Sequence, residues 1–481
     1  MTLRHCVERW PGAILASLML AVALAQISGW ANGAPTTDVP AAYYVQAGAP
    51  AGGDGSRARP FASLTLVQEV AGPGATIYLL PSERDELLDG GISLRARQKL
   101  IGLGPEGVDA AVESPLVKLT NSTDHLDGVI VQLSASNEVS GIRFVKLRNH
   151  GIMGVGGDLA GTWIHHNSFV DAKGAQAVFW AVRLQSESGT VTGVKVTDNQ
   201  VRDGEWMGGV QIITQGETRG FYRLERNEFS DLGGRAYHLW SQGSSYLEAE
   251  IEDSKADNIG VGDKNSDSIL PHLWNRSEQK VVIRNYRYRN TKQVGSRSNC
   301  AMEAFITGAP FAGPESYCNG CKLTLHILDS VFEDSVTDGI QLTNYGSNSV
   351  FDVVIRGTRI LRPNPQQAGG GISLLAQNDR NKGSRTTLLV ENSEVIGSGR
   401  FGIAILDEGE GYTSVVDLGG GELGSKGNNR IVGSAAAEIQ VNQSNPVARH
   451  NWWGRSRPRV GVEGEKSTVD WEPALREDPM R

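Results

Sequence analysis

A strand-and-turn motif repeats along most of this chain, with a period too short to hold two strands and a useful helix. Alternating apolar segments end at a recurrent Asn or Asp: Thr162 to Asn167, Val194 to Asn199, Phe221 to Asn227, Leu247 to Asp253, Val281 to Asn285, Leu325 to Asp329 and Leu388 to Asn392. The first five markers are 32, 28, 26 and 32 residues apart. A second strand of the form Gly-Ile-x-Ile follows most of them: Gly209 to Ile212, Ala236 to Leu239, Ile259 to Val261, Gly339 to Leu342, Gly371 to Leu374 and Gly402 to Ile405. Alternation makes one side of each strand apolar, and stacked repeats bury those sides against one another. The expected fold is all-β, a right-handed single-stranded parallel β-helix. Asn or Asp at the bend tolerates left-handed backbone and bonds to the coils above and below. A β-sandwich would need regular hairpin turns and closure near about 100 residues, whereas this pattern runs from about position 90 to about 450.

The 59 glycines and the 7% of aromatic residues suit many short strands joined by turns. A formal charge of −8 argues against a nucleic-acid partner, which would call for a basic stripe. At the N-terminus, Arg4 and Arg9 precede an apolar run from Ala13 to Ala25 and the small-x-small site Ala23-Leu24-Ala25. This reads as a signal peptide over 1–25, with cleavage as late as Ala31 also compatible, and a linker over 26–42. The run is short for a bilayer span and no second one follows, so the mature chain is expected to carry no transmembrane segment and to be secreted or periplasmic. Cys300, Cys318 and Cys321 remain after cleavage. In an oxidising compartment they read as one disulfide and one thiol, with Cys300 expected to join one of the other two. One CxxC without a nearby His pair supplies too few ligands for zinc, and no metal site is expected.

Both ends carry a familiar pattern. Tyr43-Tyr44-Val45, Gly53-Asp54, Arg59-Pro60-Phe61 and Pro73-Gly74 lead in, while Asn451-Trp452-Trp453-Gly454 and Asp470-Trp471-Glu472-Pro473 lead out. These segments resemble the pectate-lyase-like right-handed parallel β-helix superfamily over about residues 43 to 475. The resemblance implies an N-terminal cap and first coils over 43–110, with a short capping helix within Phe61 to Ala71. It implies a β-helix over 111–446 with loop insertions at 262–280 and 295–321, and a C-terminal cap and tail over 447–481. Such a fold hosts lyases, hydrolases, epimerases and non-catalytic proteins, so function rests on the site. Thr337-Asp338-Gly339 resembles part of a polygalacturonase-type motif, but the Asn is replaced by Val336 and its partners are missing, so it reads as a turn.

The x residues of the second strands form an outer column: Gln211, His238, Gly260, Glu303, Gln341, Ser373 and Ala404. The two insertions are expected to wall one groove over it. Trp206, Trp240 and Trp274 would stack on sugar rings, with Gln211, Asp263, Arg276 and Gln341 as further binding residues. The expected partner is a polysaccharide, most readily a uronate-containing polymer cleaved by β-elimination. Arg235, Lys264 or Arg276 would neutralise the carboxylate, and His238 or Lys264 would act as base. Hydrolysis would instead use Glu303 with Asp263 or Asp267. The catalytic set is therefore His238, Lys264, Glu303 and Arg235. The alternative is a non-catalytic exported β-helix that binds glycan or has a structural role. No cofactor is implied: Ca2+ would suit acidic-polymer chemistry, but no motif specifies its site. The sequence leaves the oligomeric state open.

N-terminal sequencing of the native protein should give a first residue near Gln26 or Asn32. An intact Met1 would overturn the export reading.

Overall fold

Lys322–Leu328 and Val350–Arg356 each alternate buried and outward residues, with Leu323, Leu325 and Ile327 buried on one and Phe351, Val353 and Ile355 on the next. They pair in parallel, Leu323 beside Phe351 and Ile327 beside Ile355. Like side chains thus stack on like, coil after coil. The computed structural model describes residues 42–104, 117–156, 158–170, 179–262, 266–295, 299–308, 313–363, 370–376, 381–407, 411–464 and 467–480. The expected signal peptide, and Asp263 and Lys264 of the expected site, lie outside these residues.

Each full coil visits three sheets. Trp163–His165 belongs to the first, Ser168–Val170 to the second and Phe179–Ser186 to the third, after which Thr190–Thr197 returns to the first. Among the described residues the sheets hold 14, 12 and 13 strands respectively, and every strand pair within them is parallel. This is the right-handed parallel β-helix. The sequence pattern shows only two strands per period because those of the second sheet are mostly three to five residues long, too short for alternation to register.

The bend between first and second sheets separates two residue columns that the sequence markers had merged. His166, Asp198, Arg226, Asp253, Asn285, Asp329 and Asn392 take positive φ and sit on the outside of the turn. The next residue points inward and forms the ladder. Asn199 Oδ1 accepts from the Asn167 amide at 3.1 Å, Asn227 Oδ1 from Asn199 at 3.1 Å, and Ser254 Oγ from Asn227 at 3.2 Å. Farther along, Ser393 accepts from Thr358, Asn429 from Ser393 and Asn451 from Asn429. Asp253, Asn285, Asp329 and Asn392 are therefore one residue out of line with Asn167, Asn199 and Asn227. Sequence markers alone cannot tell a residue needed for left-handed backbone from one needed to satisfy a buried amide.

The Gly-Ile-x-Ile segments lie in the third sheet, apart from Ile259 to Val261. Lys255–Ile259 belongs to the second sheet, beside Glu228–Leu232, and the following third-sheet strand is Ile269–Leu273. The leading glycine has a packing reason: a Cβ on Gly339 would lie 2.3 Å from Cγ2 of Ile360.

The ends are covered as expected of an open solenoid. Helix Leu64–Val70, capped by Ser63 accepting from the Leu66 amide, buries Leu64 and Val67 against the first coil. At the other end Trp453 is fully buried, and Val469, Trp471 and Ala474 pack on the core. Among the described residues no helix is long and apolar enough to cross a membrane. Two of the long connections share a corner and a third leaves the opposite one. Those before Ile269–Leu273 and Met302–Ile306 join second to third sheet, whereas the stretch after Ile306 up to Lys322–Leu328 joins third to first. They flank the third sheet on both sides.

The two bend columns should respond differently to mutation. Asn199 also donates to the carbonyls of Ile164 and Thr197, so Asn199→Leu strands several buried groups and should cost about 3 kcal/mol or more. Asn285→Gly removes a residue at φ +50° and should cost less than about 1 kcal/mol. Chemical denaturation of both variants checks the contrast.

Candidate functional site

The outward column of the third sheet runs Arg183, Gln211, His238, Leu270, Glu303, Gln341, Ser373, Ala404 by strand register. Leu270 holds the place expected for Gly260, because Gly260 follows a second-sheet strand. His238 and Glu303 face the same way, two rungs apart, or about 10 Å at the usual strand spacing. The adjacent outward column carries Ile213, Trp240, His272, Phe305 and Thr343. Its rings form a continuous row. Trp240 stacks on His272 with centroids 5.7 Å apart, His272 on Phe305 at 5.3 Å, and Trp274 meets Trp240 edge-on at 4.8 Å. His238 packs between Trp180 and Trp240.

Protonation states follow from burial and neighbours. Burial lowers His272 to about 3, assisted by Arg235, and the Trp274 indole N–H donates to its Nε2 at 2.9 Å, leaving the proton on Nδ1. Burial also holds His238 well below the usual imidazole range, with Arg235, His272 and Arg183 adding to the effect. Gln211 Nε2 donates to His238 Nδ1 at 3.0 Å, which leaves His238 Nε2–H buried without a protein partner. Both rings are neutral at pH 7.

Asp267 and Glu303 form a carboxyl pair at the N-terminal edge of this face, close enough that each shifts the other's proton affinity. Burial, reinforced by the charge of Asp267, pushes Glu303 well above the usual carboxylate range, so Glu303 keeps its proton. Asp267 is 1% exposed, and burial raises it, opposed by Arg235 at 3.4 Å and the Cys300 amide at 3.0 Å. Two such carboxyls hold one proton between them. Gln341 Nε2 donates to Glu303 Oε1 at 2.8 Å and fixes its orientation. Arg235 Nε–H remains buried without a partner. The face thus presents a protonated acid, a neutral imidazole and a guanidinium. Among the described residues no group of three or more His, Cys, Asp or Glu side chains could hold a metal ion.

The other expected site residues scatter. Trp206 precedes the strand Met207–Thr214, at the opposite edge of the sheet from Trp240 and Trp274. Arg276 lies past the C-terminal edge, lining an open depression with Asn275, Tyr317 and Asn319. The cysteine expectation is corrected: Cys318 bonds Cys321, and Cys300 is a buried thiol beside Gln341 and Thr337. Cys318 and Cys321 span a tight turn near the third-to-first corner, whereas Cys300 opens a third-sheet strand across the sheet. Sequence reading missed Arg183, His150 and the ring role of His272. His272 alternates with Leu270 on Ile269–Leu273, a signal hidden inside what looked like a loop.

Residues 318–460 match a family described as a protein of unknown function, DUF1565. No curated protein matches the chain. Among solved structures, the catalytic domain of a GH87 α-1,3-glucanase in complex with nigerose is similar over 92% of this chain and 70% of its own, at 12% identity and TM-score 0.49. The A-module of the mannuronan C-5 epimerase AlgE4 from Azotobacter vinelandii is similar over 88% and 99%, at 12% identity and TM-score 0.44. A GH136 lacto-N-biosidase from Eubacterium ramulus is similar over 83% and 67%, at 11% identity and TM-score 0.41. Likenesses this distant add nothing about chemistry.

Thiol labelling should find one reactive cysteine, Cys300, and only after denaturation. Peptide mapping of the wild-type protein should find the Cys318–Cys321 bond, and a Cys300 disulfide in that map would contradict the arrangement.

Proposed function

We propose that the third-sheet face cleaves a uronate-containing polysaccharide by β-elimination. The observation that carries this reading is the proton-holding Glu303–Asp267 pair on one face with neutral His238, with Arg235 bonded to Asp267. Elimination needs a base for the ring proton, an acid for the leaving oxygen and a cation for the uronate carboxylate. His238 is the base once the Gln211 amide turns so that its unpartnered Oε1 accepts from His238 Nδ1–H and Nε2 carries the free lone pair. Glu303 is the acid, and the unpartnered N–H of Arg235 meets the carboxylate. Low basicity of His238 in the empty site is relieved when the substrate's negative charge arrives beside it. The aromatic row of Trp240, His272 and Trp274 supports the sugar chain. Two-carboxylate hydrolysis is disfavoured because Asp267, 1% exposed, is committed to Arg235 and the Cys300 amide and does not face a glycosidic bond.

A second reading, a glycan-binding solenoid without turnover, draws on one observation. His238 is only 8% exposed, so the floor could hold a chain without reacting.

Assays on acidic and neutral polysaccharides, following unsaturated uronate and reducing ends separately, test both readings. Wild-type protein should yield unsaturated uronate, and His238→Ala and Glu303→Gln should each lower the rate by about a hundredfold with unchanged melting. Reducing ends without unsaturation would mean hydrolysis. Binding without either product would favour the second reading.

A further inference from the structure

Arg183 and His150 meet at the start of the same face in a contact that is not a hydrogen bond. The backbone N–H of Trp180 donates to His150 Nδ1 at 3.0 Å, so Nδ1 supplies a lone pair and the ring proton sits on Nε2. Burial lowers His150 to about 4, with Arg183 adding to the effect, and the ring stays neutral with that single proton. His150 Nε2 lies 3.4 Å from Nη1 of Arg183. A guanidinium accepts nothing, so two N–H groups point at each other with no acceptor between them. His150 is 7% exposed, and Nε of Arg183 is buried with no partner at all.

The surroundings hold no counter-charge. Arg183 Nη2 donates to the neutral Gln185 Oε1 at 3.0 Å, and no carboxylate pairs with Arg183 among the described residues. Glu187 is engaged by Gln185 Nε2 instead. Burial alone depresses the guanidinium, with no acid to offset it. A part-buried cation without a partner is costly, and converging donors satisfy an oxyanion well.

We infer that Arg183 and His150 form an oxyanion subsite that binds a carboxylate or sulfate group of an acidic glycan lying along the third sheet. The inference rests on reading this face as a glycan groove, and it adds a recognition point separate from the reacting centre. By register Arg183 is two rungs, about 10 Å, before His238 and four before Glu303. It grips the chain to one side of the reacting ring, and its guanidinium fork meets two oxygens of one group. Selectivity for charged over neutral polymer would then be set here as well as at Arg235.

The test is binding, measured in the full-length Glu303→Gln protein so that turnover plays no part. Calorimetric titrations use oligogalacturonate for the carboxylate, dextran sulfate for the sulfate and dextran as the uncharged control. Binding of at least one acidic polymer should weaken about tenfold or more on adding Arg183→Gln, while dextran binding is unchanged. Arg183→Lys, which keeps the charge and loses the fork, should recover only part of the affinity. It serves as the deciding variant if Arg183→Gln fails to fold by melting. Loss confined to one acidic polymer identifies the oxyanion. Equal affinity in parent and variant, or no acidic binding by the parent, overturns the subsite. Turnover of the Glu303 parent series is a separate readout, so failure of the elimination chemistry would leave this result standing.

Discussion

Parallel coils create one problem at every bend: a backbone amide turned inward where no strand can accept from it. In this chain the side chain of the next coil answers it. Asn199 accepts from the amide of Asn167, Asn227 from Asn199, and later Ser, Thr and Asn residues continue the series to Asn451. Each such bond joins two rungs, so the ladder sets their relative position as well as satisfying a buried donor. The outward columns inherit that position. His238 lines up with Gln211 and Leu270 because the bends beneath them are locked in step.

Alternation over seven-residue strands such as Lys322–Leu328 made the solenoid and the outward places of His238, Glu303 and Gln341 legible. The second sheet was not legible, since a strand such as Ser168–Val170 is three residues long, buries both Ser168 and Phe169, and has no visible period. The bend column was read one residue out of line wherever Ser or Tyr replaced Asn on the inside, as at Ser254, Tyr286, Ser330 and Ser393. The string of residues from Gly262 to Arg276 looked like an insertion because Pro271 breaks the expected strand signature. Yet Ile269–Leu273 pairs in full register with Tyr237–Ser241. Pairings across coils, such as Arg235 with Asp267 and Asp267 with Glu303, depend on loop paths that no local pattern encodes.

The electrostatics of the third-sheet face differ from those of the first. On the first sheet, charges answer one another across rungs, as Arg223 with Glu250 and Lys280 with Glu248, in exposed pairs that contribute little individually. On the third sheet, neutral rings and buried N–H groups dominate, and the carboxyl groups share a proton rather than pairing fully with cations. Such a surface leaves hydrogen-bonding capacity unspent. That contrast distinguishes the face suited to a ligand from the face suited to water.

The constant rise of the coils turns this face into a graduated scale. Residues along one outward column can only stand at whole multiples of the rung spacing. A polymer whose own repeat keeps step with that spacing would meet equivalent contacts at successive positions, and one that drifts out of phase would lose them progressively. Gain or loss of an entire coil outside Arg183 to Glu303 would lengthen or shorten the track while leaving the proposed site untouched. The length of polymer a solenoid face can follow and the chemistry of any one section of it can therefore diverge independently.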